Sequence, residues 1–325
     1  MLGELVWKPL YNEIRNKKNI YFSPTHILHS IAIEFLPFND WVNISDKFNM
    51  FRLSSTGLLA DKRGQSSFKN AVLFGGLNYD NNENNNLLST ERNGFDPLFN
   101  TFDEIMSISG LLNTKNVPFI VYTDKDGTEA RLKNLADSTI SILHLATHGM
   151  NVKSSDVSSL RKKNNFHFLK QDFDNGPQYI DNALSRSFLV LSNGNSLISE
   201  TIQDLTNDDG IITASEISEL DFNQIDLVVL SACETANGEF GLDDSIMGLQ
   251  YAFKLAGANT ILMSLDKVDD EATKILMVEF YRNLMDGKTK INSLREAQRY
   301  LRNVENGKYS DPKFWASFIM LDGLN

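Results

Sequence analysis

From residue 70 onward, short apolar runs alternate with longer stretches of helical periodicity. The runs at 71–74 (AVLF), 118–122 (PFIVY), 140–146 (ISILHLA), 227–230 (LVVL) and 260–263 (TILM) are nearly continuous in apolar residues. That is the pattern of strands buried on both faces of a sheet. Between them, 99–112, 248–255, 270–285 and 291–302 read as helices, and 128–135 as a short crossover helix. The order strand, helix, strand, helix predicts an α/β fold, a mostly parallel sheet with helices on both faces.

Other stretches refine this picture. The first run meets Gly75-Gly76, which predicts a tight turn, and 315–320 (WASFIM) reads as a closing strand. Residues 188–191 and 211–212 look like a small sheet attachment. Thr213-Ala-Ser-Glu216 has the spacing of a capping box. Residues 1–69 read as a smaller α+β module packed on the core, with Leu5, Leu10 and Ile14 on one helical face and a strand at 19–22. The division is therefore 1–69 and 70–325. No segment repeats at a fixed period, which argues against a solenoid. Residues 79–86 (YDNNENNN) and the span 150–187 are too polar to bury and read as loops.

Composition narrows the function. The net charge of −11 speaks against nucleic acid as the main partner, because phosphate binding needs a basic face. No apolar run approaches the roughly 20 residues of a membrane span, and the N-terminus lacks a signal-peptide core. These features predict a cytoplasmic protein. The single cysteine allows neither an internal disulfide nor a Cys-rich zinc site.

Reactive groups in a parallel sheet collect beyond the carboxyl ends of its strands. The 140–146 run leads into Thr147-His148-Gly149, and the 227–230 run into Ser231-Ala232-Cys233. A thiol with an ordinary pKa near 8.5 needs a base such as imidazole to act at neutral pH. The N–H groups of Gly149 and Cys233 would suit an oxyanion hole. A free cysteine is also among the residues most often buried and inert, so spacing alone leaves both readings open.

Longer motifs decide between them. ILHLATHG (142–149), LVVLSACETANGE (227–239) and GLQYAFKLAGANTILMSLDKVDDEATKILMVEFYRNL (248–284) resemble the CHAT-domain family. The similarity extends to LHSIAIEFL (28–36), AVLFGG (71–76), GTEARL (127–132), DGIITASEI (209–217) and FWASFIML (314–321), nearly the whole chain. The resemblance implies a caspase-like fold, related to caspases and separase, and a cysteine endopeptidase. It implies His148 as base, Cys233 as nucleophile and Gly149 as an oxyanion-hole residue. It also implies a protein substrate, no cofactor, and a sensor or helical-repeat domain as partner or fused neighbour. A catalytically silent interaction module is the alternative.

One departure bears on specificity. Where the family usually reads Ser-Leu-Trp, this chain has Ser264-Leu265-Asp266. The loop also carries Asp269, Asp270 and Glu271. An acidic P1 pocket built from Asp266, Asp269 and Asp270 would select Arg or Lys; Asp269 or Asp270 would equally suit a helix cap, and Asp266 could instead face water. Segments 150–187 and 236–245 flank the expected site, and one or both are expected to be disordered or to block it until a regulator binds, or to be cut at a site such as Arg161–Lys163. No metal is expected. His26-x-x-His29 and His144-x-x-x-His148 sit in apolar runs, where structural roles prevail. Asn207-Asp-Asp-Gly210 lacks the first ligand of a calcium loop, and Gly75-Gly76 lacks the lysine of a phosphate loop.

Overall fold

The computed structural model describes residues 2–39, 42–60, 68–80, 94–152, 183–197, 208–231 and 246–324. In chain order the elements open with α1 (Leu2–Trp7), α2 (Tyr11–Ile14), β1 (Asn19–Phe22), β2 (Pro37–Asn39), β3 (Val42–Asn43), α3 (Ile44–Lys47) and β4 (Asn49–Arg52). Then come β5 (Ala71–Leu77), α4 (Phe99–Thr114), β6 (Phe119–Asp124), α5 (Glu129–Lys133), β7 (Ile142–Leu145) and β8 (Gly149–Asn151). Next are α6 (Ala183–Arg186), β9 (Ser187–Val190), β10 (Ile211–Thr213), α7 (Ala214–Ser218) and β11 (Leu227–Leu230). The chain finishes with α8 (Ile246–Leu255), β12 (Thr260–Ser264), α9 (Asp270–Met285), α10 (Lys290–Asn303) and β13 (Phe318–Leu321).

Eight strands form one sheet in the order β1-β4-β13-β12-β11-β7-β5-β6. All neighbours are parallel except β12 and β13. Because side chains alternate across a strand, the sheet feeds two cores. Leu73, Ile142, Val229 and Leu262 face α4, α9 and α10, where they meet Ile105, Met277, Phe280 and Leu294. Val72, Phe74, Leu143, Val228 and Ile261 face the other way, onto α7, α8 and a second sheet, β10-β9-β8. Each fully buried aliphatic side chain of this kind contributes about 1.5–3 kcal/mol.

Several sequence expectations need correction. The strand predicted to end at Gly75-Gly76 continues to Leu77 as β5, with an irregular register between Phe74 and Leu77. The glycines serve packing instead. A Cβ at Gly75 would lie 2.8 Å from the Thr101 carbonyl oxygen, and one at Gly76 2.7 Å from Phe102 Cβ, so their absence lets α4 close on the strand. The last strand starts at Phe318 rather than at Trp315, whose indole N–H donates to the Ser310 carbonyl at 3.2 Å. The span 150–187 is not one loop: its ends supply β8, α6 and the start of β9.

The first 69 residues keep a small core of their own around Trp7, Ile33, Ile44 and Phe48. They also extend the main sheet, through Arg52 opposite Leu321. Arg52 is fully buried, pairs with Glu34 at 2.7 Å, and donates to the Ile31 carbonyl at 2.6 Å. Asp322, just past β13, accepts the Ser54 N–H at 2.8 Å and pairs with Lys254 at 2.8 Å. The Arg52 bonds hold the first 69 residues together, and the Ser54–Asp322 bond ties them to the end of β13, an interior strand of the sheet.

Candidate active site

Two adjacent parallel strands lead to the site. Leu145 of β7 stands opposite Leu230 of β11, and the Ser231 N–H still donates to the Leu145 carbonyl at 3.2 Å. On the other flank, the Ala146 N–H donates to the Phe74 carbonyl at 2.8 Å. Beyond Ala146 the chain leaves the large sheet and enters β8 of the small one. His148 lies at that crossing, only 3% exposed.

The imidazole is held in a defined pose. His148 Nε2 lies 2.7 Å from the Asp96 backbone oxygen. A carbonyl only accepts, so Nε2 carries the proton and Nδ1 carries the lone pair in the neutral ring. The Tyr79 ring packs 4.9 Å from the imidazole and the Phe95 ring 5.4 Å away. Tyr79 is itself pinned. The Thr147 hydroxyl gives its one proton to the Val190 carbonyl, so it accepts from the Tyr79 hydroxyl at 3.0 Å.

Gly149 pairs with Leu189 across the β8–β9 ladder. The Val190 N–H donates to the His148 carbonyl and the Val152 N–H to the Arg186 carbonyl, both at 2.9 Å. Hydrogen-bonded and non-bonded pairs alternate in an antiparallel ladder. Gly149 and Leu189 therefore form a non-bonded pair, and the Gly149 N–H points away from β9. Since β8 is an outer strand of the three, that N–H is directed off the sheet.

Cys233 lies outside the described residues, as do most of 150–187 (residues 153–182) and all of 236–245. The last described residue before it is Ser231, which is buried.

The acidic loop follows β12, two strands from β7 and so roughly 10 Å across the sheet. Its carboxylates divide their work. Asp269 caps α9, accepting the Ala272 N–H at 2.9 Å. Glu271 accepts from the Tyr309 hydroxyl at 2.6 Å and pairs with Lys308 at 2.9 Å, and those two partners hold its carboxyl below the usual range. Asp270 is the first residue of α9 and is half-buried. Asp266 is exposed and accepts the Lys267 N–H at 2.7 Å. The helix-cap expectation thus holds for Asp269.

The other histidines have structural settings. His144 points into the helix-covered core, its Nε2 2.9 Å from Glu104 and its Nδ1 3.2 Å from the Tyr281 hydroxyl, so both nitrogens are occupied. Burial, then the Glu104 charge, raises Tyr281 well above its ordinary value, so its hydroxyl stays protonated. His29 lies in a turn beneath Arg52, and burial lowers its pKa, with Arg52 and His26 adding to the effect.

A charged cluster lies between α5 and the β10 turn. Glu129 is 2% exposed, pairs with Lys133 at 2.5 Å, and accepts the Asp209 N–H at 3.0 Å. Lys133 also pairs with Glu216 at 2.9 Å. Burial pushes the Glu129 carboxyl up to about 7, against the opposing pull of Lys133. The expected capping box is present: the Glu216 N–H donates to Thr213 Oγ1 at 3.2 Å, and the Thr213 N–H donates to Glu216 Oε2 at 2.9 Å.

Sequence reasoning placed His148 just past a strand end, where the structure has it, and missed what holds it. Tyr79 and Phe95 flank a polar tract, and the key acceptor is a main-chain oxygen, which no residue type advertises.

This sheet, with a histidine at the carboxyl end of a central strand, defines the caspase-like fold. The chain superposes over 98% of its length on the Arg-specific cysteine proteinase gingipain R, at 11% identity and TM-score 0.54, covering 66% of that protein. It matches the complex of the Porphyromonas gingivalis gingipain pro- and mature domains equally well, at 11% identity, TM-score 0.55 and coverage of 98% and 67%. Identity this low establishes the fold alone. The CHAT domain model matches residues 1–323, and the chain belongs to that family. Over 111 residues, 34% of its length, it is 32% identical to tetratricopeptide repeat protein 28 of Mus musculus. The Homo sapiens protein of the same name is 30% identical over 111 residues. The chain spans 4% of the length of each of these relatives. Among the described residues, no helix is long and apolar enough to cross a membrane.

Proposed function

We propose that the chain is a cysteine endopeptidase in which Cys233 is the nucleophile and His148 the base. The observation that carries this reading is the 2.7 Å approach of His148 Nε2 to the Asp96 carbonyl, which assigns the proton to Nε2 and the basic lone pair to Nδ1, one strand away from the exit of β11. Cys233 follows Ser231 by two residues (233 − 231), a reach of at most ~7 Å of chain.

His148 Nδ1 takes the thiol proton, and the thiolate attacks the scissile carbonyl carbon. The Gly149 N–H, directed off the small sheet, donates to the oxygen that becomes negative, an interaction typically contributing about 2.7–4 kcal/mol. Collapse expels the amine, which takes its proton from His148, and leaves an acyl-enzyme. Water, deprotonated by the same imidazole, releases the acid and restores the thiol. Burial of His148 keeps bulk water away from the ring during these transfers.

Asp266 supplies an exposed carboxylate on the same edge of the sheet and favours Arg or Lys at P1; Asp269 and Asp270 contribute negative field at longer range. A free thiol suits a reducing, cytoplasmic setting. The partial match to tetratricopeptide repeat proteins supports a helical-repeat domain as regulator, fused or separate. The same match favours, as a second reading, an interaction module without turnover. Self-cleavage and peptide hydrolysis by wild type beside Cys233→Ala separate the two. Hydrolysis lost in the variant supports the enzyme, and equal behaviour with the repeat-domain partner present supports the module.

A further inference from the structure

We propose that Asn195 is the positioning residue that sets the tautomer and aim of His148, a proposal that rests on reading His148 as the base. Asn195 lies in the short turn Gly194–Leu197 after β9, remote in sequence from the histidine. Its Oδ1 accepts the Phe95 N–H at 2.7 Å, and its Nδ2 donates to the Phe95 carbonyl at 3.1 Å. The amide thus grips one residue's backbone at both its donor and its acceptor. The next residue, Asp96, presents the carbonyl that receives the His148 proton.

The same residue holds the other wall of the imidazole. The Asn195 backbone N–H donates to the Tyr79 carbonyl at 2.9 Å, and Nδ2 also donates to Asp80 Oδ1 at 2.8 Å. Both rings packed against His148, and the oxygen that fixes its proton, therefore lie on two chain segments that Asn195 joins. Asn78 still donates to the Asp124 carbonyl and accepts from the Asn193 N–H, but among the described residues 94–96 belong to no strand. Without the amide, little in regular secondary structure would hold the Asp96 carbonyl in place.

Residue type and packing support the assignment. Only a side-chain amide offers one acceptor and two donors in a single plane, and all three are used here. The approach is close enough to require glycine nearby: a Cβ at Gly94 would lie 2.9 Å from Asn195 Oδ1. Asn193, two residues before, has a left-handed φ of 77° and accepts from the Ser196 hydroxyl at 2.6 Å, which shapes the turn that aims Asn195.

Nitrogen-15 correlation spectra of the imidazoles in the full chain, with peptide hydrolysis alongside, test this. Wild-type His148 should show the Nε2–H tautomer. In Asn195→Ala the tautomers should mix, and kcat should fall about 10- to 100-fold with KM little changed, the cost of a misplaced catalytic group. His144, anchored by Glu104 and Tyr281, reports on folding in the same spectrum. If its signal is lost, Asn195→Asp takes the place of the alanine variant. It keeps the acceptor for the Phe95 N–H, gives up both donations, and should show the same mixing. A single Nε2–H tautomer and unchanged kcat in a folded variant would overturn the proposal. If wild type hydrolyses no more peptide than Cys233→Ala, the dyad reading fails instead, and the tautomer alone then decides the role of Asn195.

Discussion

Leu145 and Leu230 stand side by side in the parallel ladder of β7 and β11, and the chain leaves both in the same direction. His148 lies three residues past the first (148 − 145), and Cys233 three past the second (233 − 230). Neighbouring strands are about 4.8 Å apart where the ladder ends, and three residues of chain on each side can bring the two Cα atoms to the separation that a disulfide accepts. His148→Cys should therefore oxidise to a 148–233 disulfide under mild conditions. Peptide mapping without reductant reads it, and two free thiols after oxidation would show that the strand exits diverge.

The Glu104–His144–Tyr281 chain predicts a stability effect with no change in the site. Tyr281→Phe removes a hydroxyl and leaves His144 Nδ1 buried without its partner. That should cost about 1–3 kcal/mol in denaturant unfolding. Thiol reactivity of Cys233 in the folded variant should stay as in wild type. A large loss of that reactivity would place His144 within the catalytic machinery.

Glu129 predicts a pH dependence. Its folded pKa is about 7 against an ordinary 4.5, so between those values the folded chain keeps a proton that the unfolded chain releases. Its contribution is fully present below pH 4.5 and is lost as pH rises through 7. Asp209, raised by burial, acts in the same direction. Burial also pushes Glu216 upward, but hydrogen bonds from Thr213 and Lys133 outweigh it and hold that carboxyl low, which opposes the trend. Unfolding measured from pH 5 to 8 should show a decline that Glu129→Gln reduces by on the order of 1–3 kcal/mol. Parallel curves for the two proteins would exclude Glu129 as a cause.

The acidic loop predicts separable effects on specificity and stability. Asp266→Asn should lower the preference for Arg over Leu at P1 about tenfold or more, as expected for a lost charge-assisted bond. Asp269→Ala removes the cap of α9 and should cost about 1 kcal/mol while leaving that preference much less affected. Peptide panels and thermal melts on both variants check the division. Equal preference in wild type and Asp266→Asn would remove Asp266 from the pocket.

The centre of the large sheet was legible because β7, β11 and β12 are apolar runs buried on both faces, as is most of β5; β6 is as apolar in sequence but stands at the sheet edge, partly exposed. The capping box at Thr213 was legible because it depends on two side chains four positions apart or less. The small sheet was harder to read. Its strand Gly149–Asn151 has three residues, too short for any periodicity, and it pairs with residues some forty positions away. Strand continuation through Gly75-Gly76 was hidden because turn propensity and close helix packing call for the same residue. In the site, His148 could be read from its place after a strand. Its support could not, because Asp96 acts through its main chain and Asn195 acts through backbone bonds to Phe95 and Tyr79.

The pH profile of alkylation at Cys233 tests the dyad most directly, because the chain's one cysteine makes bulk labelling specific. The account predicts that wild type reacts through a thiolate formed well below the ordinary pKa of about 8.5, and that His148→Ala returns the profile to about 8.5. A wild-type profile already centred near 8.5, and unchanged by His148→Ala, would contradict it.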